Sequence, residues 1–425
     1  MPRTVLFWLH LVAGVVAGTI ILVMSATGVL LTYEKQTIAW ADTRSLQTRM
    51  APASASLSAD SLIVLARAAR PGTMPTAITR RNDPAAPDQI AFGREGVLYL
   101  DPVTGAVLGR GNAAVRGFFA GVTEWHRWLA GKDENRTLGK QVTGAANLAF
   151  LVLVLSGMVL WLPRTWTWLR VRSALWFRGG LAGRARDFNW HNVLGIWSAI
   201  PLVIIVSSAT VIGYPWASDL VYKIVGETPP PRSSGGAPGA SGSPPQAQAN
   251  AAAGDTQRSG QSGSERRLAA GDTAGANATF NPGSVAHTTT YDAAIRSATP
   301  LMPEWRAVTL QIPKPDAKTI AVTLDAGTGG QPQRRASVQI AVATGAIDKY
   351  QPFDSLSTGR QIRSVLRFAH TGEVLGVFGQ TTAGIVSLAS VVLVVTGITL
   401  SIRRALAALG RRNRRRSEPV GVAAD

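Results

Sequence analysis

The sequence predicts an α-helical membrane protein: four transmembrane helices in two tandem repeats, with two small α+β modules outside the bilayer. Three observations predict it. Four apolar runs are each long enough to cross a membrane. Matching residues recur at matching places in the two halves of the 425-residue chain. The two long segments between runs pass from helical periodicity to strand-like stretches bounded by turn residues.

The runs come first. Val5 to Leu31 carries no charge, and Val142 to Leu162, Val193 to Gly213 and Val374 to Leu400 are similar. A hydrocarbon core of about 30 Å needs roughly 20 residues at 1.5 Å each. The first run is too long for the apolar region of a signal peptide and no A-x-A site follows it, so it reads as an uncleaved anchor.

Charge predicts the topology. Between runs two and three lie Arg164, Arg170, Arg172, Arg178, Arg184 and Arg186 against the single acid Asp187. After run four come Arg403, Arg404, Arg411, Arg412 and Arg414 to Arg416. Short arginine-rich segments stay in the cytoplasm, which places both termini and the middle loop inside. The net charge of +18 follows these clusters. They flank membrane spans, so they read as topology and contact with anionic lipid, not as a nucleic-acid surface.

The organisation is then as follows: helix 1 at 1–33, an external module with the His126 segment at 34–141, helix 2 at 142–163 and a cytoplasmic loop at 164–189. Helix 3 spans 190–213, a second external module 214–372, helix 4 373–402, and a basic tail 403–425. Residues 227–282 are rich in Gly, Ala, Ser, Pro and Gln and predict a disordered insert.

Each external segment reads as a helix followed by strands. In the first, Ala59–Ala69 is helical, with strands at Thr76–Arg80, Gln89–Phe92 and Val97–Leu100 and a turn from Asp101 to Gly105 entering Ala106–Leu108. In the second, Tyr291–Ala298 is helical, with strands at Ala307–Ile312, Thr319–Leu324 and Ala336–Val342 and a turn Ala343-Thr344-Gly345 entering Ala346–Ile347.

The repeat brings out the candidate chemistry. Run one opens Trp8-Leu9-His10, with Gly14 four residues on and then Ser25-Ala26-Thr27. Run three opens Asn189-Trp190-His191, with Gly195 four residues on and then Ser208-Ala209-Thr210. Trp125-His126-Arg127-Trp128 precedes run two, which ends Leu155-Ser156-Gly157-Met158. Phe368-Ala369-His370 precedes run four, which ends Val395-Thr396-Gly397-Ile398. His10 and His191 fall toward the cytoplasmic face, His126 and His370 toward the opposite face. The distance from histidine to late glycine differs by four residues between the halves, which predicts unequal depths.

Histidine inside a membrane helix is costly and usually functional. Two neutral imidazoles make a six-coordinate haem iron suited to electron transfer, so the pairs His10–His191 and His126–His370 predict two b-type haems with these histidines as axial ligands. The chain has no cysteine, which excludes Cys-ligated iron–sulfur clusters and C-x-x-C-H attachment; the haems are expected to be non-covalent. Gly14 and Gly195, one turn from His10 and His191, leave room for a macrocycle against the backbone. Gly14 and Gly18 equally form a G-x-x-x-G packing pattern. Arg127 and Arg367, with Arg3 and Arg363, are candidates for binding propionates, and equally for interfacial snorkelling. His287 lies outside the repeat and is read as solvated. No G-x-G-x-x-G, G-x-S-x-G or H-E-x-x-H occurs. Electrons must therefore come from a separate donor, a cytoplasmic reductase or membrane quinol.

These features resemble bacterial inner-membrane proteins with PepSY-associated transmembrane helices. The resemblance is carried by the W-L-H opening of run one, Trp125-His126-Arg127-Trp128, the N-W-H opening of run three, His370-Thr371-Gly372-Glu373 and the two T-G turns of the external modules. It implies PepSY-like modules in the periplasm. Some members resemble ferric-siderophore reductases, which implies a ferric siderophore or other Fe(III) chelate as partner and a ferric-chelate reductase activity in iron uptake. Two other readings stay open: a di-haem conduit to another periplasmic acceptor, and a non-redox anchoring or regulatory module. Haem content separates the last from the others, and Fe(III)-chelate reduction separates the first two.

Overall fold

The computed structural model describes residues 2–46, 56–162, 167–231 and 289–417. Most of the predicted insert, His287, Arg164 and the last residues of the basic tail lie outside them.

Four helices are long and apolar enough to cross a membrane. They are α1 (Pro2–Leu31), α5 (Glu134–Trp161), α7 (Gly183–Gly213) and α11 (Gly376–Ser417). Each extends beyond its apolar run or matches it. The polar turns from Glu134 continue α5 past the run that began at Val142, and Ala-, Leu- and Arg-rich sequence, all good helix formers, carries α11 into the basic tail as far as Ser417. In the bundle, α1 packs against α5 and α11, and α7 packs against the same two. Helices α1 and α7 therefore face each other across the diagonal.

Short helices flank the long ones: α2 (Glu34–Ser45) follows α1, and α8 (Pro215–Ile224) follows α7. Helix α4 (Ala113–Trp128) leads into α5, and α10 (Thr358–His370) leads into α11. The remaining α-helices among the described residues are α3 (Ala59–Ala69), α6 (Trp168–Leu175) and α9 (Tyr291–Ala298). Asn112 caps α4 by accepting from Val115 N–H.

The strands are β1 (Ala77–Arg81), β2 (Asp88–Ala91), β3 (Val97–Leu100), β4 (Val107–Gly109), β5 (Ala307–Gln311), β6 (Thr319–Asp325), β7 (Arg335–Ala341) and β8 (Ile347–Pro352). All but β8 begin and end within a residue or so of the spans expected from alternation. The two modules, however, are joined. One antiparallel sheet runs β4-β3-β2-β1-β5-β6-β7-β8, with Ala77 opposite Gln311 and Arg81 opposite Ala307 at the join. Two four-stranded sheets would each leave an edge at β1 or β5; pairing them removes both.

One core follows from one sheet. Ile78, Ile90 and Leu98 from the first half bury with Leu310, Ile320 and Val338 from the second, under α3 and α9. The two covering helices cap each other. The Asp60 carboxylate accepts from the N–H groups of Tyr291 (2.9 Å) and Asp292 (2.9 Å), and Asp292 accepts from Ala59 N–H (3.1 Å). Negative charge at a helix N-terminus satisfies its free donors and its dipole.

The sheet sits on the end of the bundle away from the N-terminus of α1. Asp42 of α2 is 2 % exposed and accepts from Tyr99 Oη of β3 (2.9 Å), from Asn112 N–H (2.7 Å) and from the Arg116 guanidinium of α4. Nearby, Lys35 Nζ donates to Glu373 (2.7 Å) and Gln333 donates to Val374 O (3.1 Å). Burial, then the Asp42 charge, pushes the Tyr99 phenol well above its usual value, so it stays a donor.

Candidate functional site

The histidines meet in the pairs that the repeat predicts. His10 on α1 and His191 on α7 face each other across the diagonal, with ring centroids 6.4 Å apart and planes at 86°. His126 on α4 and His370 on α10 lie 6.2 Å apart with planes at 51°. The second pair is at the sheet end. His126 docks on α1 near Met24 and Thr27, and His370 docks on α7 at Ile205. Fourteen residues separate His10 from Met24, and fourteen separate His191 from Ile205. At 1.5 Å per residue the two pairs stand about 21 Å apart along the bundle.

All four imidazoles occupy the same kind of socket, formed by a carbonyl and a hydroxyl three residues on. His10 Nδ1 lies 2.8 Å from Ser156 Oγ and bonds the Leu153 backbone. His191 Nδ1 lies 3.0 Å from Thr396 Oγ1 and bonds the Leu393 backbone. His126 Nδ1 lies 2.9 Å from Thr27 Oγ1 and bonds the Met24 backbone. His370 Nδ1 lies 2.9 Å from Ile205 O, and Ser208 Oγ donates to that same carbonyl at 2.8 Å. In the first three sockets the hydroxyl donates its own hydrogen to a carbonyl one turn back. Its lone pairs then face Nδ1, which fixes Nδ1–H as donor and leaves Nε2 as the free nitrogen base.

The residue after the hydroxyl faces the ring, tightly on α5 and α11 and with ordinary room on α1. A Cβ on Gly157 would come 3.4 Å from His10 Cε1, one on Gly397 3.3 Å from His191 Cε1, and one on Gly28 3.6 Å from His126 Cε1. The fourth such position is Ala209. The late S-G and T-G pairs are thus the seats of the rings. Sequence reasoning recorded them as repeat markers and missed this role.

The geometry fits a metal held between each pair. A metal–imidazole bond of about 2.0–2.1 Å, plus about 1.15 Å from ring nitrogen to ring centre on each side, puts two coaxial imidazoles about 6.3 Å apart. The observed separations of 6.4 and 6.2 Å match that span. Among the described residues no third His, Cys, Asp or Glu joins either pair. The donor set is therefore two imidazoles, which would suit a macrocycle that brings its own nitrogens. At the sheet end, removal from water holds His370 below the ordinary histidine value and His126 down to about 4, with His370 itself the next influence on His126. Both rings are neutral at pH 7, the form that ligates iron.

The unequal depth predicted from spacing does not occur. The connectors are equal, five residues each at 129–133 and 371–375; the extra residues lie in the helices, α4 running two residues past His126 and α5 starting two residues further from Gly157 than α11 starts from Gly397. His126 thus docks on α1 at Thr27 where His370 docks on α7 at Ile205.

The other candidates divide. Gly14 and Gly195 are equivalent, with a Cβ there meeting Leu153 at 3.7 Å and Leu393 at 3.8 Å, ordinary contacts. The tight packing contact belongs to Gly18, 3.3 Å from Ile398. Arg127, stacked on Trp128 at 4.6 Å, lies within electrostatic reach of Arg136, Arg367 and both sheet-end histidines. Burial, then Arg363, holds the Arg367 guanidinium below its usual value. This cationic group beside the pair suits carboxylate ligands. Arg363 donates to Ser218 Oγ at 2.8 Å. Arg3 is engaged elsewhere: it donates to the last carbonyls of α5, Leu160 O (2.6 Å) and Leu162 O (2.7 Å).

A family model described as the PepSY-associated TM region matches residues 7–404, nearly the whole chain, and the chain belongs to that family. No curated protein matches it.

Proposed function

We propose that this PepSY-associated membrane protein carries two non-covalent haems b, one on each histidine pair, and passes electrons across the bacterial inner membrane to ferric chelates such as siderophores. One observation carries the reading: two imidazole pairs at the separation of a bis-imidazole metal site, each with Nδ1 engaged and Nε2 free. Each bound haem would supply a one-electron Fe(III)/Fe(II) couple.

The chain's own residues supply position and surroundings. His10 and His191 hold the site near the cytoplasmic face; His126 and His370 hold the one near the periplasmic sheet. Ser156, Thr396, Thr27 and the Ile205 carbonyl orient the rings. Arg127 and Arg367 place positive charge where propionates and an anionic chelate approach. Fe(III) prefers hard oxygen ligands more than Fe(II) does, so one-electron reduction loosens iron from an oxygen chelate. No acid–base catalyst is needed, in keeping with the absence of any hydrolytic motif. Electrons enter from quinol or a cytoplasmic reductase.

The test is a reduced-minus-oxidised spectrum with a haem count, on wild type and single His→Ala variants. Two haems per chain are expected, with His10→Ala and His191→Ala removing the same one and His126→Ala and His370→Ala the other. Ferric siderophore should reoxidise the reduced protein, with Fe(II) trapped by a ferrous chelator. A preparation supplied with ample haem that binds none ends the reading. Haem-loaded protein that no Fe(III) chelate reoxidises points instead to a conduit for another periplasmic acceptor.

A further inference from the structure

Between the two histidine layers the bundle core forms two apolar clusters. One is built on Ala17, Ile21 and Ala146, the other on Val154, Leu202 and Val386. Among the described residues, Phe150 of α5 is the one side chain that packs against both. Its level is intermediate. It lies six residues from Ser156, the seat of His10, or about 9 Å of the roughly 21 Å between the layers at 1.5 Å per residue.

The halves differ at this place. Ser156-Gly157 on α5 corresponds to Thr396-Gly397 on α11, and the same spacing sets Phe150 against Ser390. Ser390 is 1 % exposed and turns its hydroxyl back to Val386 O at 3.0 Å. The matching places thus carry a large ring on one long helix and a small buried residue on the other.

We propose that Phe150 is the bridging side chain between the two redox sites: it fills the gap through which an electron passes from the His10–His191 layer to the His126–His370 layer. This rests on the two-haem reading. The step is one electron, iron at the first layer going from Fe(II) to Fe(III) and iron at the second from Fe(III) to Fe(II), with no atom or proton transferred. Tunnelling falls off more steeply through empty space than through packed, bonded atoms, so a filled gap carries the electron faster. Phe150 touches neither histidine in this role and acts by position.

The experiment uses the full-length, haem-loaded protein in sealed right-side-out vesicles. It is chemically reduced and then exposed to external ferricyanide, an impermeant oxidant. The sheet-end haem should oxidise first and the other in a slower phase limited by transfer between them. Phe150→Leu should slow the second phase several-fold and leave the first phase, the haem count and both midpoint potentials unchanged; Phe150→Tyr should restore the rate. Should Phe150→Leu lose haem, Phe150→Met, an unbranched chain of similar reach, carries the same test. An unchanged second phase with both haems in place overturns the bridging role and leaves the two-haem reading standing. A wild-type protein without haem overturns both.

Discussion

Thr396→Val isolates what the sockets contribute. The substitution keeps the shape of the side chain and removes the hydroxyl that lies 3.0 Å from His191 Nδ1. Losing the outer partner of a ligating histidine typically weakens the metal site about 10- to 100-fold. Here the Leu393 backbone still bonds the ring, so the loss should be at the low end. About tenfold corresponds to about 1.4 kcal/mol. A less electron-rich imidazole also favours Fe(III) less, so the midpoint potential of that haem should rise. The assay is haem transfer to excess apomyoglobin. On the two-haem reading, the half of the haem assigned to His10 and His191 should leave about tenfold faster, and the rest at the wild-type rate. Thr399→Val is the control: that hydroxyl is exposed and bonds Val395 O at 2.8 Å, away from both pairs. Equal weakening of both haems, or equal effects of Thr396→Val and Thr399→Val, would refute the socket reasoning.

Two further outcomes follow from distances. Gly397→Ala sets a Cβ 3.3 Å from His191 Cε1, so the ring must give by a few tenths of an ångström, whereas Gly28→Ala meets His126 at 3.6 Å, within ordinary contact. Low-temperature EPR of the oxidised protein should show shifted g-values for one haem in Gly397→Ala and a spectrum close to wild type in Gly28→Ala. Arg116→Ala strands the Asp42 carboxylate, 2 % exposed, without its cation at the junction of sheet and bundle. Breaking a buried pair on one side costs about 3–5 kcal/mol. The thermal midpoint should fall clearly, and Asp42→Asn added to Arg116→Ala should recover part of it, because the stranded charge is gone.

What the sequence makes legible here is periodic or repeated, and what it hides is which surfaces meet. Apolar length reveals the four long helices, and alternation reveals most strands, because each is a local pattern in one stretch of chain. The join of β1 to β5 is not local. Ala77 and Gln311 are far apart in sequence, and nothing in either strand names its neighbour; the join rests on removing two edges and on Asp60 and Asp292 capping each other's helices. The unequal spacing after His126 misleads for a related reason. Residue counts measure contour length, and the excess is split between two residues at the end of α4 and two at the start of α5, on either side of a connector as long as the one between α10 and α11, so the histidine does not move.

The socket residues show where legibility ends. Ser156-Gly157 and Thr396-Gly397 stand out as equivalent pairs, yet their function appears only when α5 and α11 are seen to flank the diagonal helices α1 and α7. A hydroxyl held by the carbonyl a turn back is an ordinary way to satisfy Ser or Thr inside an apolar helix, so the residue type alone carries no signal of a partner ring. The adjacent glycine does. In a packed helix interior it has a cost relative to alanine, and here the cost is offset where an imidazole fills the space of the missing Cβ. Hydroxyl-then-small recurs at all four histidines, Ser156-Gly157, Thr396-Gly397, Thr27-Gly28 and Ser208-Ala209, and the close fit that calls for glycine is at the first two.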